Sequence, residues 1–202
     1  MGGLEALLAD PDVLKLRAAL ESREARGSEE DEGVRKAAVA LIFRAGEDGA
    51  PEILFIKRAE YPGDPWSGQV AFPGGREELG DASLADTATR ETREETGIDL
   101  ARDGTFIGTL DDLRPRVTRL PDVIVRPYVV LLERYEPLIL SHEVSLAFWI
   151  PLRALNHPES WRDTQILARG IQINARAFHH EGHVIWGMTE RIIGQLLGLL
   201  SS

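Results

Sequence analysis

The chain has 202 residues, of which 43% are hydrophobic, so it can form one sizeable domain with a buried core. Its 33 acidic residues outnumber the 23 basic ones and give a net charge of −10, which argues against partners such as nucleic acid or an anionic membrane. It has no cysteine, which excludes disulfides, zinc–thiolate sites and cysteine nucleophiles. The start of the chain lacks the features of a signal peptide, and the apolar stretches are too short to cross a bilayer, so a soluble, cytoplasmic protein is expected.

The amino-terminal stretch is predicted to form a helix over residues 10–26, because Asp10 can cap it and apolar residues recur near helical spacing. This helix is expected to be an appendage of the main domain. The sequence "GSEEDEG", residues 27–33, is acidic and without apolar anchors, which is typical of a linker. The chain is therefore predicted to divide into a helix with its linker, residues 1–34, and a main domain at residues 35–202.

Strands and helices are mixed in the rest of the chain. Runs rich in β-branched and aromatic residues predict strands at 37–43, 52–58, 69–72, 105–110, 122–132, 146–152 and 171–178. Helices are predicted over 83–96, between the capping residue Ser83 and the closing residue Gly97, and over 186–200. Because this order lacks regular βαβ units, it predicts an α+β fold, arranged as an α/β/α sandwich.

Three carboxylates lie close together on the helix at 83–96. Each helical residue advances by about 100°, so Glu91 and Glu95 lie one turn apart, with Glu94 beside them. Like charges at this spacing repel by roughly 0.2–0.5 kcal/mol a pair, which favours a site for a hard cation such as Mg²⁺ or Mn²⁺. Gly74 and Gly75 follow a strand that is ended by a proline. Because they have no side chain, their backbone could approach a ligand closely. The alternative is a solvated helix face with Arg–Glu pairs and an ordinary turn before it.

Residues 74–98, "GGREELGDASLADTATRETREETGI", resemble the Nudix box, the loop–helix–loop signature of hydrolases that cleave a nucleoside diphosphate linked to another group. The glycine, the R-E pair, the E-E pair and the closing glycine–isoleucine are all present. Two positions depart from the signature: Asp81 stands where the family has its first glutamate, and Thr92 stands at the apolar position after R-E. The resemblance implies a Nudix sandwich with a mixed sheet.

The resemblance also implies a role for each residue of the box. The metal ligands would be Glu91, Glu94, Glu95 and the carbonyl of Gly75, holding Mg²⁺ or Mn²⁺. Arg90 would orient these glutamates, and Glu78 would support them. Family members often place a further glutamate on a later loop, which makes Glu143 a candidate for the general base. Glu94 is the competing base, and a solvated loop carboxylate is the alternative reading of Glu143.

The substrate is indicated by "GQVAFPGG", residues 68–75, which resembles the run before the box in the coenzyme A pyrophosphatase branch of the family. ADP-ribose or an NADH-type dinucleotide is the alternative substrate, and a non-catalytic Nudix module that binds nucleotides is a further reading. The candidate substrate-binding residues are Arg58, Arg114, Arg116 and Arg119.

Two further features are less specific. The apolar stripes on the first and last predicted helices exceed what a minimal Nudix core should need, so a homodimer that buries one of them is an expectation. His179 and His183 are four residues apart, but the glutamate and glycine between them favour a turn between strands over a metal site.

Overall fold

A computed structural model of the protein describes residues 3–27, 33–64, 66–115, 122–134, 137–168 and 170–201. The helices are α1 (Gly3–Ala9), α2 (Pro11–Glu21), α3 (Leu84–Thr96), α4 (Leu100–Asp103), α5 (Leu152–Leu155) and α6 (Met188–Ser201), with a 3₁₀ turn at Pro158–Ser160. The strands are β1 (Arg35–Ala45), β2 (Pro51–Arg58), β3 (Val70–Ala71), β4 (Gly74–Arg76), β5 (Gly104–Thr109), β6 (Val123–Leu132), β7 (Val144–Pro151), β8 (Trp161–Ala168), β9 (Ile171–His180) and β10 (His183–Trp186).

The larger sheet is mixed, as predicted. Its strands follow the order β3-β2-β1-β6-β5, with β4 also paired to β1 and β7 to β2. The central strand β1 is parallel to β6 and antiparallel to β2. Alternate side chains of β1 enter two different hydrophobic clusters: Leu41 and Phe43 pack with α1, α2 and α6, whereas Ala40 and Ile42 pack with α3. Helices therefore cover both faces, and the α/β/α sandwich is confirmed.

The amino-terminal helices form part of the core. Asp10 caps α2 by accepting hydrogen bonds from the backbone N–H of Asp12 and Val13 at 2.9 and 3.2 Å. The helix predicted over residues 10–26 ends earlier, at Glu21. The apolar residues Leu7, Val13, Leu16 and Leu20 are buried in the cluster that also holds α6. The expectation of an appendage is therefore wrong. The boundary at residue 34 stays a prediction, because residues 28–32 of the linker lie outside the described residues.

The two apolar stripes that suggested a homodimer bury each other within one chain. On α2 the buried residues are Val13, Leu16 and Leu20, and on α6 they include Ile192, Ile193 and Leu196. These two helices are in direct contact. The reason given for a homodimer is thereby removed, and the homodimer itself stays a prediction. None of the described helices is long and apolar enough to cross a bilayer.

The smaller sheet, β10-β9-β8, confirms the turn expected between the two histidines. Glu181 (φ 47°) and Gly182 (φ 82°) form the turn between β9 and β10. His179 contacts Thr164 and Arg162, whereas the ring of His183 stacks on Phe148 at 4.2 Å. The two imidazoles thus have separate structural partners.

Candidate active site

The helix α3 has the predicted ends. The Ser83 hydroxyl accepts a hydrogen bond from the Asp86 backbone N–H at 3.2 Å, and Gly97 adopts φ 78°, the left-handed conformation that ends many helices. Its inner face is buried through Leu84, Ala88 and Thr92. Thr92 therefore faces the core at the position where the signature has an apolar residue.

The three glutamates of α3 differ in exposure. The side chain of Glu95 is 3% exposed, that of Glu91 17% and that of Glu94 55%. Glu91 and Glu95 line one cavity, whereas Glu94 contacts Arg90, with 3.3 Å between its Oε2 and Nη1. Within the described ranges, no group of three or more histidine, aspartate or glutamate side chains is arranged to hold a metal ion. The structure thus brings two of the three predicted carboxylates to the cavity.

The glycines before the helix lie on strand β4, which the sequence did not predict. The chain does not leave the sheet after Pro73, because Gly74 pairs with Val39 and Gly75 with Ala38 of β1. The Gly74 N–H donates a hydrogen bond of 2.9 Å to Glu95 Oε2. A Cβ atom on Gly75 would lie only 2.5 Å from Glu91 Cδ. The missing side chain of Gly75 therefore lets Glu91 lie directly against the backbone, while Glu95 is held by the backbone N–H of Gly74.

Arg90 connects the loop to the helix. Its Nε and Nη2 atoms donate to the two oxygens of Asp81 at 3.0 Å each, and Nη2 also donates to the Arg76 carbonyl at 2.9 Å. Nη1 donates to Glu91 at 3.1 Å and to Glu94 at 3.3 Å. The guanidinium holds the pKa of Asp81 well below its usual range. Asp81, whose role the signature left open, is thus the anchor of this arginine.

The cavity has a volume of about 620 Å³ and a mixed lining. Its charged side chains include Arg58, Asp64, Glu78, Glu91, Glu95 and Glu143. Its apolar side chains include Val39, Trp66 and Met188, which pack against the small buried cluster of Ala37, Val123 and Val125. Such a lining is suited to a ligand with one charged and one uncharged part.

Burial alters the acidity of the two cavity glutamates. It raises the pKa of Glu95 to about 7, although the Gly74 N–H and Arg58 act in the opposite direction. Burial also raises the pKa of Glu91, against the effect of Arg90. The negative charges of neighbouring carboxylates, including Glu143, raise both pKa values further. Burial, assisted by the neighbouring carboxylates, thus favours the protonated form of both glutamates.

Glu143 lies at the same cavity because its loop is attached to the end of α3. The Ser141 N–H donates to the Glu95 carbonyl at 3.2 Å, and the Ala59 N–H donates to the Glu143 carbonyl at 2.8 Å. The neighbouring His142 accepts a hydrogen bond from the Tyr61 hydroxyl at its carbonyl, at 3.2 Å. These bonds fix the loop between β2 and the carboxylate helix.

The predicted substrate-binding arginines lie in different places. Arg58 lines the cavity, where its Nη2 is 3.2 Å from Asp64 and its Nη1 is 3.7 Å from Glu95. Arg114 accepts a hydrogen bond from Arg191 at its carbonyl, and its guanidinium lies 3.8 Å from Asp122. The other two, at positions 116 and 119, fall outside the described residues.

Sequence reasoning missed the residues that complete the cavity. Asp64 and Trp66 belong to "YPGDPWSG", for which no role was predicted, and Met188 lies in the helix predicted over 186–200, whose apolar stripe suggested a homodimer. The aspartate and tryptophan within a proline-rich loop were the available signal, since polar and aromatic loop residues next to a site often bind ligands. No local pattern links Met188 to the cavity.

The comparisons with known proteins agree with this arrangement. A family model of the NUDIX domain matches residues 34–170. An uncharacterised protein of Schizosaccharomyces pombe is 35% identical over 151 residues, which are 65% of this chain and only 46% of that protein. An uncharacterised Nudix hydrolase of Yersinia pestis, NudL, is 32% identical over 163 residues, which are 80% of this chain and 78% of that protein. The structure of a MutT/nudix family protein from Enterococcus faecalis, 17% identical, has the same fold with a TM-score of 0.54 and covers 98% of this chain and 73% of that one. The chain belongs to the Nudix family.

Proposed function

We propose that the protein is a metal-dependent hydrolase that cleaves the diphosphate of a nucleoside diphosphate linked to another group. The observation that carries this proposal is the pair of carboxylates, Glu91 and Glu95, which line a cavity of about 620 Å³ and lie against the backbone of Gly74 and Gly75. A diphosphate is anionic, and the chain carries a net charge of −10. Cations must therefore bridge protein and substrate.

The carboxylate oxygens of Glu91 and Glu95 fit a hard divalent cation, Mg²⁺ or Mn²⁺, because such cations prefer oxygen ligands. Glu91 and Glu95 would hold the cation, with Glu94 and the Gly75 carbonyl as further ligands. When bound, the cation supplies positive charge that polarises the phosphate oxygens and favours attack by water.

The chain's own residues have separate tasks in this proposal. Arg90 orients Glu91 and Glu94, since it donates a hydrogen bond to each of them. Glu143 takes the proton from the attacking water, because it lines the cavity beside Glu91 and Glu95. Glu94 is the competitor for this role, and its contact with Arg90 makes it the weaker candidate.

Coenzyme A is the first choice of substrate, because "GQVAFPGG" resembles the run before the box in the coenzyme A pyrophosphatase branch. The arginines at positions 114, 116 and 119 are proposed to contact its 3′-phosphate. ADP-ribose or an NADH-type dinucleotide is the second choice, since it carries the same diphosphate without that phosphate group. A non-catalytic nucleotide-binding module has less support, because it would not need carboxylates buried beside a cavity.

The test is hydrolysis of a panel of diphosphates with Mg²⁺, with Mn²⁺ and with chelator. We expect metal-dependent cleavage and the highest kcat/KM for coenzyme A. Dephospho-coenzyme A should lose about 1.5–3 kcal/mol of transition-state binding if the 3′-phosphate makes a charge-assisted contact. A higher kcat/KM for ADP-ribose or NADH would replace coenzyme A as the substrate. Absence of metal-dependent cleavage across the panel would refute the enzymatic proposal.

A further inference from the structure

We propose that Trp66, together with the apolar wall beside it, binds the nucleobase of the substrate by stacking. This inference rests on the proposed function, because it assigns the apolar part of the lining of the same cavity. Both candidate substrates, coenzyme A and ADP-ribose, carry an adenine, so the assignment does not depend on the choice between them. The indole of Trp66 would offer its face to the purine ring.

The wall is a continuous apolar surface. Ala37 of β1 and Val123 and Val125 of β6 form a small buried cluster near the start of these two strands. Trp66 and Met188, both partly buried, pack against this cluster and also line the cavity. A flat ring with apolar faces would displace water from this surface, which is favourable. The wall thus suits a nucleobase better than it suits a sugar or a phosphate.

The loop that carries Trp66 is already held in place. Asp64 Oδ1 accepts a hydrogen bond of 3.0 Å from the Trp66 backbone N–H, while Asp64 Oδ2 accepts one of 3.2 Å from Arg58. The Trp66 carbonyl accepts a further bond of 3.2 Å from the Gln69 N–H. Binding to a loop with few remaining conformations costs less entropy. Asp64 of the same loop is bonded to Arg58, which in turn forms an ion pair with Glu95.

The lining of the cavity contains few basic side chains. Among the described residues that line it, the basic ones are Arg58 and Arg76. Arg58 is already shared between Asp64 and Glu95. Trp66 and Met188 extend the apolar surface of the wall where they line the cavity. A charged group would lose its hydration against this surface, so an uncharged part of a nucleotide is the better fit.

The test uses adenosine, which has no phosphate and so requires neither a metal ion nor turnover for binding. Stacking of a base on an aromatic side chain contributes about 1–3 kcal/mol, which corresponds to a change of roughly 5- to 150-fold in affinity. We expect Trp66→Leu to raise the dissociation constant of adenosine by this factor, and Trp66→Phe to raise it less. Trp149→Phe is the matched control, because Trp149 lies on β7 with its ring against Arg44, and it should leave adenosine binding unchanged. Pantetheine, the uncharged arm of coenzyme A, is the second probe and should bind the wild type and Trp66→Leu equally.

The outcomes separate this inference from the proposed function. Equal adenosine affinity in the wild type and Trp66→Leu, or no adenosine binding to either, would overturn it. A loss confined to pantetheine would assign the wall to that arm and overturn the nucleobase assignment. If Trp66→Leu fails to fold, adenosine should still quench tryptophan emission in the wild type more than in Trp66→Phe, and equal quenching would refute stacking. Stacking without hydrolysis of any diphosphate would instead leave this inference standing and remove the proposed function.

Discussion

Replacing Gly75 with alanine tests whether the carboxylate of Glu91 must lie against the backbone of β4. The added Cβ would lie 2.5 Å from Glu91 Cδ and 2.7 Å from its Oε2, which is far inside van der Waals contact. The obstructing atoms are the end of a flexible side chain, so Glu91 can rotate away while the backbone stays in place. The variant should therefore fold normally and lose the position of one proposed metal ligand.

The expected effect on catalysis is large. A displacement of about 1 Å at a reacting site costs roughly 100-fold in rate, and the clash at Gly75 requires a movement of that order. Alanine at a compatible backbone position is otherwise neutral or stabilising by about 0.4–1 kcal/mol, so the melting temperature should change little. Steady-state kinetics with Mg²⁺ and thermal unfolding of the same sample measure the two effects. Near-wild-type kcat in a folded Gly75→Ala variant would refute this role of Glu91.

Gly74→Ala is the matched control, one residue away. Gly74 has φ 145°, and a Cβ there would lie 2.6 Å from Val39 Cα, which is backbone and cannot rotate away. Backbone strain of this kind costs about 1–3 kcal/mol even without the clash. At roughly 2–4 °C per kcal/mol for a chain of this size, the melting temperature should fall by at least several degrees. Equal stability of the two variants would contradict the packing described for β4.

Three further predictions concern the base, the loop and the core. Glu143→Gln should lower kcat by roughly 100- to 10,000-fold without changing the metal dependence of binding, and a larger effect of Glu94→Gln in parallel kinetics would transfer the role of base to Glu94. Asp81→Asn should lower the melting temperature at neutral pH, because Arg90 depresses the pKa of Asp81. That stabilisation is present above the ordinary pKa of about 4 and is lost as the pH falls below it, so thermal unfolding of wild type and variant should converge in acid, and a constant difference would speak against the ion pair. Leu16→Ala should destabilise the fold by about 2–5 kcal/mol, since Leu16 is fully buried in the main core; an unchanged melting temperature would restore the view of α2 as an appendage.

The sequence predicted α3 and its surroundings well, because the signals there are local. A serine cap, a closing glycine in the left-handed conformation and the spacing of the glutamates each depend on residues within one or two turns. The strands β1, β2 and β6 were predicted for a similar reason, since near-continuous apolar runs mark strands that are buried on both faces. The resemblance to the Nudix box then supplied the fold that joins them.

The sequence could not predict features that depend on distant partners. Strand β4 has only three residues, two of them glycine. It forms because residues 37–39 of β1, which lie beyond the part of β1 that pairs with β2, can pair with it. Helix α2 has a weak apolar pattern, and its place in the core is decided by contact with α6 at the far end of the chain. The different exposures of Glu91 and Glu94 likewise depend on how α3 is rotated against the sheet. In each case the deciding contact is far away in sequence.

The contacts of Arg90 explain why the proposed function needs cations besides those of the protein. A guanidinium has five N–H donors, and those of Arg90 point to Asp81, Glu91, Glu94 and the Arg76 carbonyl through five hydrogen bonds. This arginine therefore has no donor left for a phosphate and acts by holding carboxylates. Arg58 lies between Asp64 and Glu95, so these carboxylates already offset its charge. In the proposed function, the charge of a diphosphate beside the glutamates would therefore be met chiefly by bound divalent ions.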